Sequence, residues 1–493
     1  MFPENTREEI NEMLDKAWVA FHQYRKLPLK KRADFMRAIA VEMENCGDKL
    51  LKTAMEETNL PEARVRSERG RTINQLTSYA AACEEGSWLE ARIDTAIPDR
   101  TPPRHDIRKM LIPLGPVVVF GASNFPFAYS TAGGDTACAF AAGCPVIVKG
   151  HPAHIKTSDL VAKAILTAAR KTGMPEGVFH HVHGSSFETG KTLVTHKYTK
   201  AVGFTGSTSG GKALFDWANQ RKEPIPVFAE MGSINPVFLM PEKLKKSAAD
   251  IARVYSDSIT LGVGQFCTNP GLIIGIAGED LDNFVNVLGE EIKKIAPGNM
   301  LHPGIAKAFK QNREKALSQE NVITVAESST PALENQGIPT IASASGKAFL
   351  NNPVLHQEVF GPYSLIIRCA DANEMMEVAL KMEGQLAATL MATDNDITSH
   401  DDFVEAVKNI CGRFILNDVP TGVEVCLSMQ HGGPYPATTD SRFTSVGADG
   451  IKRFARPVAF QNWGDVLLPD ELKNNNPLKI WRTVNNEFSK API

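Results

Sequence analysis

The sequence has no apolar run approaching the roughly 18 consecutive residues that a membrane-spanning helix requires. Its first residues lack the basic segment and apolar segment of a secretory leader. None of its eight cysteines stands in a CxxC pair, which argues against a zinc site or a disulfide framework and fits a reducing compartment. These absences predict a cytoplasmic protein without membrane contact.

The sequence also lacks a strong excess of one charge. Its formal net charge is -3, and its lysines and arginines are scattered along the chain instead of clustered. A nucleic-acid-binding protein usually carries a basic patch or stripe, and none is visible here. We therefore expect a small-molecule partner and no nucleic acid.

The chain is long enough for more than one domain. Its 493 residues, 43% of them hydrophobic, exceed what a single ordinary core accommodates and predict two or three domains. Helical periodicity alternates with short apolar runs, a pattern typical of an α/β fold. Residues 5 to 58 read as amphipathic helices, whereas the proline-rich stretch 86 to 113 predicts an arm or an edge hairpin.

Successive strand and helix signals follow from residue 113 onward. Buried strands are predicted near 115–122, 145–149, 178–182 and 201–205, and helices lie between them and after the last. Repeated βα units of this kind form a parallel sheet, and ligands bind at the carboxyl ends of its strands.

A glycine- and serine-rich turn, residues 206 to 212, joins the last of these strands to a helix. Such a turn can direct backbone N–H groups towards an anion at the start of a helix. It matches neither GxGxxG nor a P-loop, so an ordinary tight turn is an equally good interpretation. Lys149 ends another strand and is a candidate for a phosphate or ribose contact, the alternative being a solvated lysine.

Cys267 lies among small and turn-forming residues between 262 and 271. Most free cysteines pack as small hydrophobic residues, so a single thiol is a poor predictor of chemistry. This setting instead favours a thiol held at the surface of a cleft, where it can act as a nucleophile if suitable partners are present.

Together these residues carry a resemblance to the aldehyde dehydrogenase superfamily that runs over nearly the whole chain. Asn124 in Asn-Phe-Pro resembles the asparagine of the family's oxyanion site. The other matching segments, in chain order, are Lys149, the nucleotide loop 204–211 with Gly206, Ser207 and Gly211, the glutamate Glu230, the nucleophile Cys267, and Glu358 with Phe360 in Glu-Val-Phe-Gly-Pro. The resemblance implies a Rossmann-like parallel-sheet cofactor domain, an α/β catalytic domain and an oligomerisation arm.

Aldehyde oxidation explains why these residue types are needed together. The Cys267 thiolate adds to the aldehyde, and the resulting oxyanion needs donors such as the Asn124 amide. Hydride transfer to a nicotinamide leaves a thioester, which Glu230 hydrolyses by activating water. The resemblance places Lys149, Gly206, Ser207, Gly211, Glu358 and Phe360 around the cofactor.

If the resemblance to the aldehyde dehydrogenase superfamily is set aside, the same residues have simpler interpretations. Glu230 is then a solvated or paired carboxylate, and Asn124 is a turn residue before Phe-Pro. Glu358 becomes a charged loop residue, and Phe360 a core aromatic.

The cofactor prediction depends on the residues after Lys149. Many NAD-preferring relatives carry a glutamate three residues later, but Pro152 occupies that position here. Without a carboxylate to repel a 2'-phosphate, we expect NADP, with NAD possible. His151 and Lys156 are candidate phosphate contacts, although a surface role is the simpler interpretation of each.

Near the C-terminus, residues 417–442 replace the family's usual substrate loop and resemble the branch that oxidises α-ketoglutaric semialdehyde (2,5-dioxopentanoate) to 2-oxoglutarate. The carboxylate of that substrate needs a cation, and Arg442 or Arg104 are candidates, with surface ion pairing as the alternative. The remaining alternatives are a long-chain fatty aldehyde dehydrogenase, a CoA-acylating enzyme and a non-catalytic nucleotide-binding scaffold. The presence of Glu230 favours hydrolysis over CoA transfer.

The predicted domain division has three parts. Residues 1–97 and 115–240 form the cofactor-binding domain, and residues 241–432 form the catalytic domain. Segments 98–114 and 433–493 form oligomerisation and bridging segments, which predict a homodimer or homotetramer.

Overall fold

The computed structural model describes residues 2–493, in which helices pack around three large β-sheets and one small one. The α-helices are α1 (Arg7–Tyr24), α2 (Leu29–Asn45), α3 (Gly47–Thr58), α4 (Glu62–Glu85), α5 (Gly134–Ala142), α6 (Ile155–Thr172), α7 (Phe187–Thr195), α8 (Thr208–Asn219), α9 (Pro241–Thr260), α10 (Glu279–Lys294), α11 (Pro303–Leu317), α12 (Gly346–Asn351), α13 (Ala372–Lys381), α14 (Asp394–Ser399) and α15 (Asp401–Asn409). Short 3-10 helices cover Ser87–Leu89, Pro152–His154, Leu261–Gly264, Pro353–His356, Ala448–Phe454, Asp465–Leu467 and Asp470–Leu472.

The strands follow the same chain order. They are β1 (Arg92–Asp94), β2 (Ile107–Pro113), β3 (Val117–Phe120), β4 (Val146–Lys149), β5 (Phe179–Val182), β6 (Ala201–Thr205), β7 (Val227–Glu230), β8 (Val237–Leu239), β9 (Leu272–Ile276), β10 (Gly298–Asn299), β11 (Ile323–Glu327), β12 (Gln336–Gly337), β13 (Thr340–Ser345), β14 (Tyr363–Cys369), β15 (Gln385–Met391), β16 (Cys411–Leu416), β17 (Ala455–Gln461), β18 (Arg482–Val484) and β19 (Glu487–Ser489).

The first large sheet has the order β5-β4-β3-β6-β7, and all of its strand pairs are parallel. Along β3, Val117 and Val119 pack into one apolar cluster, whereas Val118 and Phe120 pack into another on the opposite face. Because successive side chains of a strand point to opposite faces, this continuous apolar run requires helices on both sides. The predicted α/β fold with a parallel first sheet is confirmed.

The second large sheet has the order β11-β13-β14-β9-β8-β15-β16 and is parallel except for its edge strand β11. It includes β8, which ends before the predicted domain boundary at residue 240. The chain therefore enters the second sheet a few residues earlier than the boundary drawn from the sequence.

The third large sheet has the order β17-β2-β1-β18-β19. Strands β1 and β2 pair antiparallel, and β2 continues the sheet through its antiparallel pairing with β17. This sheet contains β1, which lies within the segment 1–97 that the sequence assigned to the cofactor domain. The third sheet therefore begins earlier in the chain than residue 98, where the predicted bridging segment starts.

The strand order of the first sheet determines where a ligand can bind. The chain runs from β3 outwards to β5, then returns to the other side of β3 with β6 and β7. Loops that leave β3 and β6 diverge at this switch point and open a crevice at the carboxyl ends of the strands.

In residues 2–493, no helix combines the length and apolar character needed to cross a membrane.

Candidate active site

A cavity of about 520 Å³ lies at this switch point, within the size range of small-molecule sites. The loop after β3 contributes Asn124, and the loop after β6 contributes Gly206 and Ser207. Glu230, at the end of β7 in the first sheet, also lines the cavity. The part of the chain that builds the second sheet contributes Cys267, Glu358 and Phe360.

The Cys267 loop is held in place by close backbone packing. The chain leaves α9 through the short 3-10 helix, in which Gly264 has a φ of 65°. A Cβ atom at Gly264 would lie 2.3 Å from the backbone of Gly361, so a side chain here would displace the loop. Asn235 donates its side-chain amide to the carbonyl oxygens of Cys267 at 2.8 Å and Asn269 at 2.9 Å. These contacts fix the backbone that carries the thiol.

The thiol of Cys267 lies beside a buried histidine and a buried glutamate. The Nε2 atom of His431 is 3.6 Å from the Cys267 Sγ and 3.0 Å from the Glu230 Oε1. Ser445 donates its hydroxyl to the other Glu230 oxygen at 2.6 Å. His431 and Glu230 are each at most 3% exposed, so both polar groups depend on these partners.

The pKa values of Glu230 and Cys267 are shifted in opposite directions, so that Glu230 is the base and Cys267 the acid of this cluster. Burial alone would raise the pKa of Glu230, but His431 and hydrogen bonds from Ser445 and Cys267 lower it below its ordinary value. Burial, together with the negative charge of Glu230, raises the pKa of the Cys267 thiol well above its ordinary value. At neutral pH Glu230 is therefore ionised, whereas Cys267 is mainly protonated and needs a base to become a nucleophile.

Asn124 reaches the same loop from the other side. Its side-chain amide donates a hydrogen bond to the carbonyl oxygen of Gln265 at 3.1 Å, two residues before Cys267. Gln265 is itself fixed, because its side-chain oxygen accepts from the backbone N–H of Leu301 at 3.0 Å. The amide of Asn124 is thus held near Cys267 as a hydrogen-bond donor.

The residues predicted to contact a cofactor divide into two groups. Gly206, Ser207, Glu358 and Phe360 line the cavity, and Ser207 caps the start of α8 by accepting from the backbone N–H of Gly210. Burial raises the pKa of Glu358 to about 8. Gly211, in contrast, is buried where a Cβ would lie 2.7 Å from the Met231 side chain, which indicates a packing role.

Lys149 is half-buried at the end of β4 and does not line the cavity. Burial lowers its pKa from the ordinary value. His151 does line the cavity, but burial, reinforced by His154 and Lys149, lowers its pKa well below the usual value, so its imidazole is neutral at pH 7. Lys156 is exposed.

Neither arginine considered from the sequence lies in the cavity. Arg442 has a side chain that is 79% exposed and pairs with Asp440 at 2.6 Å. Arg104 lies between β1 and β2, where it donates to the carbonyl oxygen of Thr95 and lies 3.6 Å from Asp94.

His431 and Ser445 are site residues that the sequence did not reveal. Both follow β16 in an irregular stretch, and they reach Glu230 through packing between distant segments. The block 417–442 contains His431, but its sequence indicates only a substrate loop and gives no sign of a contact with Glu230.

Comparison with known proteins agrees with this geometry. The model of the aldehyde dehydrogenase family matches residues 1–442. The chain is 48% identical over 475 residues to alpha-ketoglutaric semialdehyde dehydrogenase 2 of Azospirillum brasilense, covering 96% of this chain and 90% of that protein. It is 44% identical over 492 residues to alpha-ketoglutaric semialdehyde dehydrogenase of Acinetobacter baylyi, covering 99% and 93%.

Solved structures show the same fold at much lower identity. A glyceraldehyde-3-phosphate dehydrogenase from Methanocaldococcus jannaschii, complexed with NADP, has a TM-score of 0.77 and 21% identity, covering 93% of this chain and 95% of that one. A Thermus 1-pyrroline-5-carboxylate dehydrogenase with bound NAD has a TM-score of 0.77 and 19% identity, covering 93% and 86%. The family expected from the motifs is confirmed, and the chain belongs to the aldehyde dehydrogenase family.

Proposed function

We propose that the protein oxidises α-ketoglutaric semialdehyde (2,5-dioxopentanoate) to 2-oxoglutarate, using Cys267 as the nucleophile. The observation that carries the catalytic part of this proposal is the contact of one buried imidazole, His431, with both the thiol of Cys267 and the carboxylate of Glu230. The substrate is supported by the two relatives at 48% and 44% identity, whose names specify this semialdehyde.

The first half of the reaction is attack on the aldehyde. Because the thiol pKa is raised, Cys267 must lose its proton to a neighbour, and the His431 imidazole is the base in contact with it. The thiolate adds to the carbonyl carbon, and the new oxyanion accepts hydrogen bonds from the Asn124 amide and the Cys267 backbone N–H.

The residues around the cavity fit a nicotinamide dinucleotide. Gly206 and Ser207 precede α8, whose first-turn backbone N–H groups suit a pyrophosphate, although the Gly206 N–H itself donates to the Glu230 carbonyl oxygen at 3.0 Å. Glu358 and Phe360 suit the nicotinamide ribose. A nicotinamide dinucleotide held there would supply the hydride acceptor for oxidation of the thiohemiacetal to a thioester on Cys267.

Hydrolysis of that thioester is the second half. The ionised Glu230 takes a proton from water, the hydroxide adds to the thioester carbonyl, and the Cys267 thiolate leaves as the carboxylic acid forms. His431 and Ser445 orient the Glu230 carboxylate for this step, since each holds one of its oxygens. The presence of this base favours hydrolysis over transfer to CoA.

We infer that NADP is used and that NAD is also accepted. The inference is supported by Pro152, which stands where a carboxylate would repel a 2'-phosphate. The surroundings offer little cationic attraction for that phosphate, since His151 is neutral at pH 7 and Lys156 is exposed. A pocket that has neither a carboxylate to repel the 2'-phosphate nor a cation to attract it discriminates weakly between NADP and NAD.

A panel of aldehydes assayed with NAD and NADP in parallel tests this proposal. We expect kcat/KM for 2,5-dioxopentanoate to exceed that for a long-chain aldehyde by about tenfold or more, because one charged hydrogen bond supplies at least that discrimination. A preference for the long-chain aldehyde would assign the protein to the fatty aldehyde alternative. Absence of turnover with every aldehyde would favour the non-catalytic scaffold.

We further propose that the sheet β17-β2-β1-β18-β19 mediates a homodimer or homotetramer in the cytoplasm. Its outer strand β19 carries Phe488, which is 65% exposed and stacks on the partly exposed Trp481. An unpaired strand edge with exposed aromatics is a surface suited to association. Sedimentation analysis should give an oligomer, and truncation after residue 480 should reduce it. An oligomer unchanged by truncation would contradict this role of β18 and β19.

A further inference from the structure

We propose that Arg71 binds the carboxylate of the substrate and so selects an anionic semialdehyde. This inference rests on the proposed function, since it assigns the substrate-binding residue of the same site. Arg71 lies on α4 and does not line the cofactor cavity. Arg71 is therefore separate from the residues that line the cofactor cavity next to Cys267.

Helix α4 is firmly attached to the loop that carries Asn124. The carboxylate of Glu68 accepts the backbone N–H groups of Phe127 at 2.9 Å and Ala128 at 3.0 Å. Tyr79, further along the same helix, accepts the backbone N–H of Gly447 at 2.9 Å, near Ser445. A side chain on this helix thus has a fixed position relative to both the oxyanion donor and the base.

Arg71 extends from α4 into a group of aromatic rings next to the nucleophile. Its Nη2 donates to the Tyr129 hydroxyl at 3.3 Å, and its guanidinium lies 5.6 Å from the centre of the Tyr129 ring and 5.9 Å from that of Phe125. Tyr129 in turn lies 6.3 Å from His431, ring centre to ring centre. The charge of Arg71 also reaches Cys267, where it favours the thiolate.

The guanidinium of Arg71 has hydrogen-bond donors without acceptors. Among residues 2–493, the bond to Tyr129 is its only hydrogen bond, its Nε is buried without a partner, and no carboxylate lies within 4 Å. A half-buried charge with one neutral partner is poorly compensated. A bound carboxylate would neutralise the charge of Arg71 and accept charge-assisted hydrogen bonds from its guanidinium.

Other arginines near the site are already occupied. Arg64, two turns earlier on α4, pairs with Glu68 at 2.9 Å. Arg413 on β16 donates to the backbone carbonyls of Gly422 and Pro420, so it holds the loop that follows this strand. The Nε of Arg413 is also buried without a partner, but both of its terminal nitrogens are occupied, whereas Arg71 uses only one of its two and is the cation best placed to recognise a ligand.

The test compares three five-carbon aldehydes with wild type and Arg71→Gln. The aldehydes are 2,5-dioxopentanoate, 5-oxopentanoate, which keeps the carboxylate but lacks the keto group, and pentanal, which is neutral. We expect Arg71→Gln to raise KM and lower kcat/KM for both anions by roughly 10- to 100-fold, as for loss of a charged hydrogen bond. For pentanal, kcat/KM should change less than about threefold, and Arg71→Lys should restore part of the loss for the anions.

Three matched variants separate binding from a structural role. Tyr129→Phe removes the hydroxyl contact but keeps the cation, so it should retain the preference for anions. Arg64→Gln removes a neighbouring cation that Glu68 already neutralises and should also retain it. Arg413→Gln tests the other arginine near Cys267 and should affect all three aldehydes alike, because it alters a loop.

Two outcomes would overturn the assignment. An equal loss for pentanal and the anions in Arg71→Gln would show that Arg71 only supports the ring cluster. Loss of anion preference in Arg413→Gln, with Arg71→Gln unchanged, would assign the carboxylate to Arg413. If wild type itself does not prefer 2,5-dioxopentanoate to pentanal, the proposed function fails instead.

Discussion

Replacing Cys267 by serine is expected to reduce aldehyde oxidation by roughly 10⁴- to 10⁶-fold while leaving the fold and cofactor binding intact. Serine is nearly isosteric with cysteine, so it preserves the contacts of the loop that Asn235 holds. Its hydroxyl has a much higher pKa than a thiol, and it forms an ester less readily under the same base. The loss therefore arises from the chemistry of one atom.

Initial rates with 2,5-dioxopentanoate would measure this loss, with circular dichroism and cofactor-dependent thermal stabilisation as checks on the fold. Cys426→Ser is the matched control, because Cys426 is the exposed free cysteine among residues 2–493 and has no place in the mechanism. Its activity should stay within about twofold of wild type. Activity of Cys267→Ser within tenfold of wild type would show that another group is the nucleophile.

Asn124→Ala distinguishes the oxyanion donor from the nucleophile within the same assay. It should lower kcat by roughly 10²- to 10³-fold, the usual effect of removing one such donor. The thiol should remain alkylatable by iodoacetamide, whereas Cys267→Ser abolishes labelling at that position. A variant that loses labelling as well would indicate that Asn124 mainly holds the loop through Gln265.

Much of the first domain could be predicted because its signals are local. The strand β6, Ala201–Thr205, coincides with its predicted range, and β4 differs by one residue from the predicted 145–149. Continuous apolar runs ended by glycine or proline are enough to specify such strands. The motif residues Asn124 and Cys267 could be brought to one site only through the family resemblance, since they lie far apart in the chain.

The remaining site residues depend on packing that no local pattern encodes. His431 meets Glu230 because an irregular segment after β16 crosses the end of β7, where Glu230 forms an isolated bridge with Thr438. Arg71 reaches Tyr129 through the orientation of α4, and nothing in the helix sequence distinguishes Arg71 from the other arginines of α4. Neither the crossing of a loop nor the rotation of a helix can be inferred from residue spacing.

Replacing Glu230 by glutamine should slow the second half of the reaction far more than the first. Glutamine has almost the same shape and can keep the contacts with His431 and Ser445, but it cannot take a proton from water. We expect steady-state turnover to fall by roughly 10²- to 10⁴-fold, while a burst of reduced nicotinamide equal to the enzyme concentration persists. Stopped-flow absorbance measures the burst and the later rate in one experiment.

A persistent burst separates hydrolysis from thiol activation. If Glu230 were required to deprotonate Cys267, the burst itself would slow by the same factor as turnover, and the assignment of Glu230 to thioester hydrolysis would be wrong. Glu242→Gln is a matched control, since Glu242 pairs with Lys246 at the protein surface. It should change neither the burst nor the steady-state rate.

The pH dependence of hydrolysis gives an independent check on the same residue. The pKa of Glu230 is lowered, so its basic form persists at neutral pH and is lost only as the pH falls below the ordinary carboxyl range. His431 contributes to that lowering, and burial opposes it. His431→Leu should therefore raise the pKa of Glu230 and move the acid limb of the hydrolysis rate to higher pH, whereas His431→Gln, which keeps a donor, should move it less. An acid limb that stays in place in both variants would mean that the titrating base is not the carboxylate in contact with His431.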